Sequence, residues 1–195
     1  MKDYTEGSAR IKTVRAKKMM LWFGIVSLGM SFAGFTSAYI VSRSGEGWLT
    51  DLQLPQAFFL SLIVIVLSSV TMHFAKVLVR KEEQTTGMLL LWVTFLLGLG
   101  FIYLQFRGFS EMIYEFGMNP TGPTSNTKGT FIFLIATVHI AHVIAALISV
   151  LVVIYNHYKQ KYKGGKTLGI ELAATFWHFV DILWIYLFLF FYFVR

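Results

Sequence analysis

Apolar residues run through this chain in five long blocks, separated by short stretches in which the charged and turn-forming residues collect. The blocks are Met19 to Ser42, Leu54 to Val77, Met88 to Phe106, Thr130 to Tyr155 and Glu171 to Val194. A helix needs roughly 20 mostly apolar residues to cross about 30 Å of hydrocarbon, and each block reaches that length. The runs are continuous and lack the alternation of lipid-facing and lumen-facing residues in a barrel strand, so the elements predicted are helices. The pattern predicts an all-α, polytopic membrane bundle of five transmembrane helices. A basic tail covers residues 1–18 and one membrane domain covers 19–195. The first block follows a basic tail as a signal peptide would, but it is longer than an h-region and reads as a retained helix.

The connections are short, except for the stretch 107–129. It holds Pro120 and Pro123 among Gly, Ser and Asn residues and reads as an external, turn-rich loop. Within it, Ser110 to Phe116 reads as a short interfacial helix that turns Phe109, Met112, Ile113 and Phe116 toward lipid or a partner. We find no internal repeat and no low-complexity tract.

Composition agrees with lipid as the solvent. Of the 195 residues, 56% are hydrophobic and only 14% charged, and the mean hydropathy is +0.64. The formal net charge of +7 does not point to nucleic acid, because the basic residues lie between the apolar blocks and not on folded faces. Their distribution predicts orientation instead. Lys2, Arg10, Lys12, Arg15, Lys17 and Lys18 precede the first block, Lys76, Arg80 and Lys81 close the second, and Lys159, Lys161, Lys163 and Lys166 lie between the fourth and fifth. Only Arg43, Arg107, Lys128 and Arg195 fall on the other side. Basic residues are retained in the cytoplasm, so the N-terminus is expected inside and the C-terminus outside. The absence of cysteine excludes disulfides, iron–sulfur clusters and thiolate catalysis.

The candidate chemistry sits at membrane depth, where ionisable side chains are costly. At 1.5 Å per residue, His139 lies about 14 Å and His142 about 18 Å inside the fourth helix. By the same rise His178 lies about 10 Å and Asp181 about 15 Å inside the fifth, which runs the other way. His139 and Asp181 share a level, and Glu171 lies on one stripe with His178. A buried polar seam between the fourth and fifth helices is the expectation. Metal or haem ligation and a proton relay are the alternatives to interhelical hydrogen bonding, which is the reading preferred. Small residues predict close packing on the first helix (Ser31, Ala33, Gly34, Ser37, Ala38), at Gly98 and Gly100, and at Ala141, Ala145 and Ala146. Trp48, Trp92, Trp177, Trp184 and the tyrosines read as an interfacial aromatic belt. No Walker loop, nucleophile elbow or zincin motif is present.

The fifth helix carries Glu171 and then Trp177-His178-Phe179-Val180-Asp181-Ile182-Leu183-Trp184, which resembles the WHFVD-x-x-W motif of subunit III of cytochrome c oxidase. Gly129-Thr130-Phe131 and His139-Ile140-Ala141-His142-Val143 look like that family's segment leading to H-G-x-H-V, with Ile140 and Ala141 in place of the glycine step. Leu54-Pro55 leading to Leu67-Ser68-Ser69 and Thr71, and Leu104-Gln105, are similar to its LP, SS-x-T and LQ elements. The resemblance runs from about Lys17 to near the C-terminus. Two carboxylates of the family pattern are replaced, by Leu28 before Phe32-Ala33-Gly34-Phe35 and by Gly108 after Leu104-Gln105.

The resemblance implies the short, five-helix bacterial form and a place in the bacterial plasma membrane. It implies a non-catalytic subunit of a haem–copper terminal oxidase that reduces oxygen to water and pumps protons. Haem and copper are then expected in partner subunits, a catalytic subunit I and a subunit II, with no cofactor, metal or catalytic residue in this chain. Bound phospholipid, stabilisation of the catalytic subunit and support of proton uptake are the implied tasks, and other small subunits or a respiratory supercomplex are possible neighbours. A quinol oxidase or a nitric-oxide-reductase-associated homologue, and from other classes a small membrane cytochrome or a transporter, are the alternative functions. The first two helices, with no acidic residue inside them, are expected to form the lipid or partner face.

Overall fold

The computed structural model describes residues 9–44, 54–115, 117, 126–162 and 167–194, and all of its regular structure is helical. The elements are α1 (Ala9–Ser42), α2 (Gln56–Arg80), α3 (Gln84–Tyr114), α4 (Thr127–Tyr158) and α5 (Leu168–Phe193). All five are long and apolar enough to cross a membrane.

Each predicted block lies within a helix or overlaps it closely, but most of the ends move outward. Hydropathy marks the part of a helix that lipid can cover, and says nothing about backbone hydrogen bonding beyond it. Thus α1 begins at Ala9 and not at Met19, so part of the basic tail belongs to the first helix. α3 runs to Tyr114, which makes the predicted interfacial stretch from Ser110 a continuation of the spanning helix. Lys128, grouped by sequence with the external loop, is buried in the first turn of α4. The Asn126 side chain caps that helix by accepting from the Gly129 amide at 2.6 Å. Trp48, Pro120, Pro123, Lys163 and Lys166 lie outside the described residues.

Direction alternates along the chain. Ser61 of α2 meets Gln105 of α3 and Thr71 meets Thr94 (2.9 and 2.8 Å), an antiparallel register. The α2–α3 pair is the most extensive in the bundle, because glycines let the two backbones approach. A Cβ on Gly87 would touch Val79, and one on Gly108 would overlap the ring of Phe58. α5 packs on α1, α2 and α4. The turn between α2 and α3 is closed by Glu82 at φ 62°, and the one after α4 by Gln160 at φ 54°, left-handed positions that reverse the chain within a few residues. These two turns are joined at the basic end. His157 Nε2 lies 3.1 Å from the Gln84 carbonyl oxygen, and the Gln160 side-chain amide donates to Gln84 Oε1 at 3.1 Å. Tyr162 stacks on His157, and burial raises the pKa of its phenol.

The first two helices, expected to form an outer face, differ in how far they are embedded: both expose an apolar side, but α2 also has a deeply packed one. α2 lies between α3 and α5 and buries Phe58, Ser61, Ile65, Ser68 and Met72. α1 rests on α4 and α5 through Ile25, Phe32, Thr36 and Tyr39. Its small residues Ser31, Ala33, Gly34, Ser37 and Ala38 are exposed. A side chain added at Gly34 or Gly100 would meet nothing. Of the predicted small-residue contacts, Gly98 and Ala146 are the ones used within the chain, Gly98 so tightly that a Cβ there would come within 2.7 Å of Trp177.

Candidate functional site

The polar side chains at membrane depth are gathered around α5, but their hydrogen bonds lead to α2. Trp177 Nε1 donates to Ser68 Oγ and Trp184 Nε1 donates to Ser61 Oγ, each at 3.2 Å. The two bonds lie one heptad apart on both helices, so they form successive rungs of one antiparallel interface. Ser61 also receives the side-chain amide of Gln105 at 2.9 Å, which ties α3 to the same point. Beside the Ser68 rung, Ser69 Oγ lies 2.7 Å from His178 Nδ1, and the Asp181 carboxyl group faces the same hydroxyl. Asp181 is 2% exposed. Its Oδ2 has no hydrogen-bond partner among the described residues.

The seam expected between α4 and α5 is therefore an α2–α5 seam. Depth along the helix axis, read from the sequence, placed His139 and Asp181 at one level but could not say which way each faces around its helix. Neither ring nitrogen of His139 has a hydrogen-bond partner, and the residue is wholly buried. Its ring stacks on Trp184 at 5.1 Å and meets the edges of Phe101 and Phe32 at 5.9 and 6.3 Å, so it serves as one plate of an aromatic cluster. His142 turns back on its own helix, with Nδ1 2.7 Å from the Val138 carbonyl oxygen, and abuts Phe32 of α1. Glu171 joins α1 to α5, pairing with Lys18 Nζ at 3.0 Å and accepting from the Thr167 hydroxyl.

Trp177 and Trp184 are 1% and 0% exposed, which removes them from the predicted interfacial belt. Their indole N–H groups find serines inside the bundle, so a tryptophan can be buried there without an orphaned donor. Trp92 is 45% exposed, as a belt residue would be. Sequence reading underrated Ser61 and Gln105 in particular. The available signal was the heptad repeat of serine along α2, at Ser61 and Ser68, opposite a heptad repeat of tryptophan along α5.

Among the described residues, no three His, Asp or Glu side chains converge as metal ligands. The aromatic setting of His139 yields a test of its own. His139→Phe keeps the ring stack and removes two unpartnered nitrogens, a change that is close to neutral when both the donor and the acceptor demand disappear. The phenyl ring is larger than the imidazole, so the variant should lose no more than about 1–3 kcal/mol, the cost of overpacking, read by thermal unfolding in detergent. A large loss would mean that the imidazole is hydrogen-bonded in the assembled protein.

Comparison with known proteins bears on the same residues. The family model described as cytochrome c oxidase subunit III matches residues 15–195, which include every helix-crossing contact of the seam. Cytochrome c oxidase subunit 3 of Corynebacterium diphtheriae is 30% identical over 174 residues, covering 85% of this chain and 82% of that protein. The protein of the same name from Alkalihalophilus pseudofirmus is 26% identical, covering 90% of this chain and 86% of the relative. Cytochrome bo(3) ubiquinol oxidase subunit 3 of Buchnera aphidicola (subsp. Acyrthosiphon pisum) is 27% identical, with coverage of 96% and 92%. With five helices of spanning length, a WHFVD-x-x-W helix at the centre of their packing and a family match over nearly its whole length, the chain belongs to the cytochrome c oxidase subunit III family.

Proposed function

We propose that this chain is a non-catalytic subunit of a respiratory haem–copper terminal oxidase, in which it packs beside the catalytic subunit and stabilises it. The observation that carries the reading is the use to which the chain puts its polar residues. Ser61, Ser68, Ser69, Gln105, Trp177, Trp184, His178 and Asp181 are spent on holding helices together. Polar pairs of this kind fix helix packing in lipid. Haem and copper belong to the partner subunits in this reading. The chemistry of oxygen reduction and proton pumping is theirs, and the task of this chain is to keep them in place and to support proton uptake.

The distribution of basic residues supports an orientation with the N-terminus and the α2–α3 and α4–α5 turns in the cytoplasm, and with the C-terminus outside. For a bacterial protein this is the plasma membrane. Phospholipid would lie against the exposed side of α1, where Trp22, Phe23, Met30 and Val41 are all more than half exposed.

Purification from native membranes through a C-terminal tag tests the proposal. A haem–copper catalytic subunit should co-purify, and its absence would end the oxidase assignment. A Soret band from the isolated chain would contradict the non-catalytic role. Asp181→Ala removes the buried carboxyl group that faces Ser69, and should lower the yield of assembled complex while leaving the haem spectrum of the complex that does assemble unchanged.

A quinol oxidase is the second reading, favoured by the near-equal identity of relatives named for cytochrome c and for ubiquinol. Steady-state assays of the purified complex with reduced cytochrome c and with quinol separate the two.

A further inference from the structure

The exposed side of α2 is an apolar stripe with one interruption. Phe59, Ile63, Val66 and Val70 lie on it at helical spacing, 57%, 46%, 43% and 47% exposed. The next position on the same stripe is His73, which is also exposed. At 1.5 Å per residue His73 lies about 10 Å in from the Arg80 end of the helix, within the apolar block that ends at Val77. An ionisable side chain at that depth is expensive in contact with lipid and almost always faces protein or a water-filled cavity.

Among the described residues, no hydrogen bond or ion pair engages His73. The ring of His178 lies 6.3 Å away, centroid to centroid, and Lys76 stands one turn nearer the basic end. Ser69 engages His178 Nδ1 and faces Asp181, whose Oδ2 has no hydrogen-bond partner. His178 Nε2 has no partner. The patch thus sets the imidazoles of His73 and His178 and the ammonium of Lys76 in a strip of exposed apolar side chains long enough to receive a helix.

We propose that this strip docks a transmembrane helix of a partner subunit, and that the partner presents a carboxylate to His73 and Lys76. The inference rests on the oxidase reading for the existence of partner subunits, and adds where one of them sits and what chemistry it brings. Charge complementarity selects this occupant. A second copy of the chain would set the same basic strip against itself. A lipid phosphate belongs at the headgroup level beside Arg80 and Lys81, whereas His73 lies about two turns below it.

The test uses the complete complex in native membranes. A photo-crosslinking amino acid is placed at position 73 and irradiated before solubilisation, and the adduct is identified by mass spectrometry. An adduct to a helix of another polypeptide, mapping within one turn of an Asp or Glu, is the expected result. Adducts to lipid alone, or to a second copy of this chain, in membranes where the complex is intact would overturn the docking proposal. Failure of any haem–copper subunit to co-purify with the unmodified chain would instead strike at the oxidase reading, so the two failures are distinguishable.

His73→Leu provides the second arm. Leucine suits a lipid-facing position, so the chain should fold as before. The partner retained per copy of this chain after a detergent wash should fall about threefold to tenfold, the range that one interhelical polar contact supports. Unchanged retention would refute the contact.

Discussion

Replacing Trp184 by alanine should cost the chain more than any other single truncation, about 3–5 kcal/mol if it behaves as other buried tryptophans do. The indole is 0% exposed and lies where four helices meet. It stacks on His139 of α4 at 5.1 Å, meets the edges of Phe101 of α3 and Phe58 of α2 at 5.4 and 5.8 Å, and donates to Ser61. Truncation opens a cavity that three rigid rings cannot close without moving, and leaves the buried hydroxyl of Ser61 short of one partner. For a chain of this size the unfolding midpoint in detergent should fall by roughly 10 °C. Trp184→Phe should recover most of the ring packing and lose only the indole bond. A Trp184→Ala chain that melts with the parent would show that this cluster does not hold the bundle together.

Gly108→Val should produce the second large loss, through the opposite mechanism. The position has no room for a side chain, since even a Cβ would overlap the ring of Phe58. Phe58 cannot step aside, being 1% exposed and held edge-on by Phe109 and Trp184. Overpacking of this kind costs about 1–3 kcal/mol, and here it falls on the most extensive helix pair. Gly100→Val is the control, because nothing lies within reach of a side chain there. A Phe58→Leu change combined with Gly108→Ala should melt above Gly108→Ala alone, since the smaller side chain vacates the overlap. Equal sensitivity of Gly108 and Gly100 to valine would refute close packing between α2 and α3 at this point.

The Gly108 position also shows what became of a family carboxylate. Where the resemblance leads one to expect an acidic residue after Leu104-Gln105, this chain has a glycine that admits Phe58. Glu111, three positions later, accepts from the Ala57 amide at the start of α2 at 3.4 Å. An acid near the C-terminal end of α3 is therefore still present, and its oxygen lies beside an N-terminal amide that has no partner within its own helix.

Much of the fold was legible because lipid imposes a simple rule. Long uncharged runs must become helices that satisfy their own backbone, so five blocks became five helices. The motif of α5 was legible too, and the residues it names are those on which the packing converges. Helix ends were less legible. The helix around Ala9 and the last turns of α3 are polar enough for water, and no apolar pattern marks them.

The amino-acid sequence by itself determined the number of spanning helices, their approximate extents, the depth of each ionisable residue along its axis and the family. All of these depend on composition within one segment or on a local string of residues. Only the tertiary structure decided which faces meet. Asp181 and His178 turn to Ser69 of α2 and not to α4, His139 lies among aromatic rings, Trp177 and Trp184 are core residues, and the small residues of α1 stay outside. In lipid both sides of a helix can be apolar, so the hydrophobic pattern that reveals the buried face of a soluble helix carries no such signal here. What sets the rotation of each helix is the matching of serine to indole and of glycine to ring across an interface. Those pairings join residues far apart in the chain and exist only once it has folded.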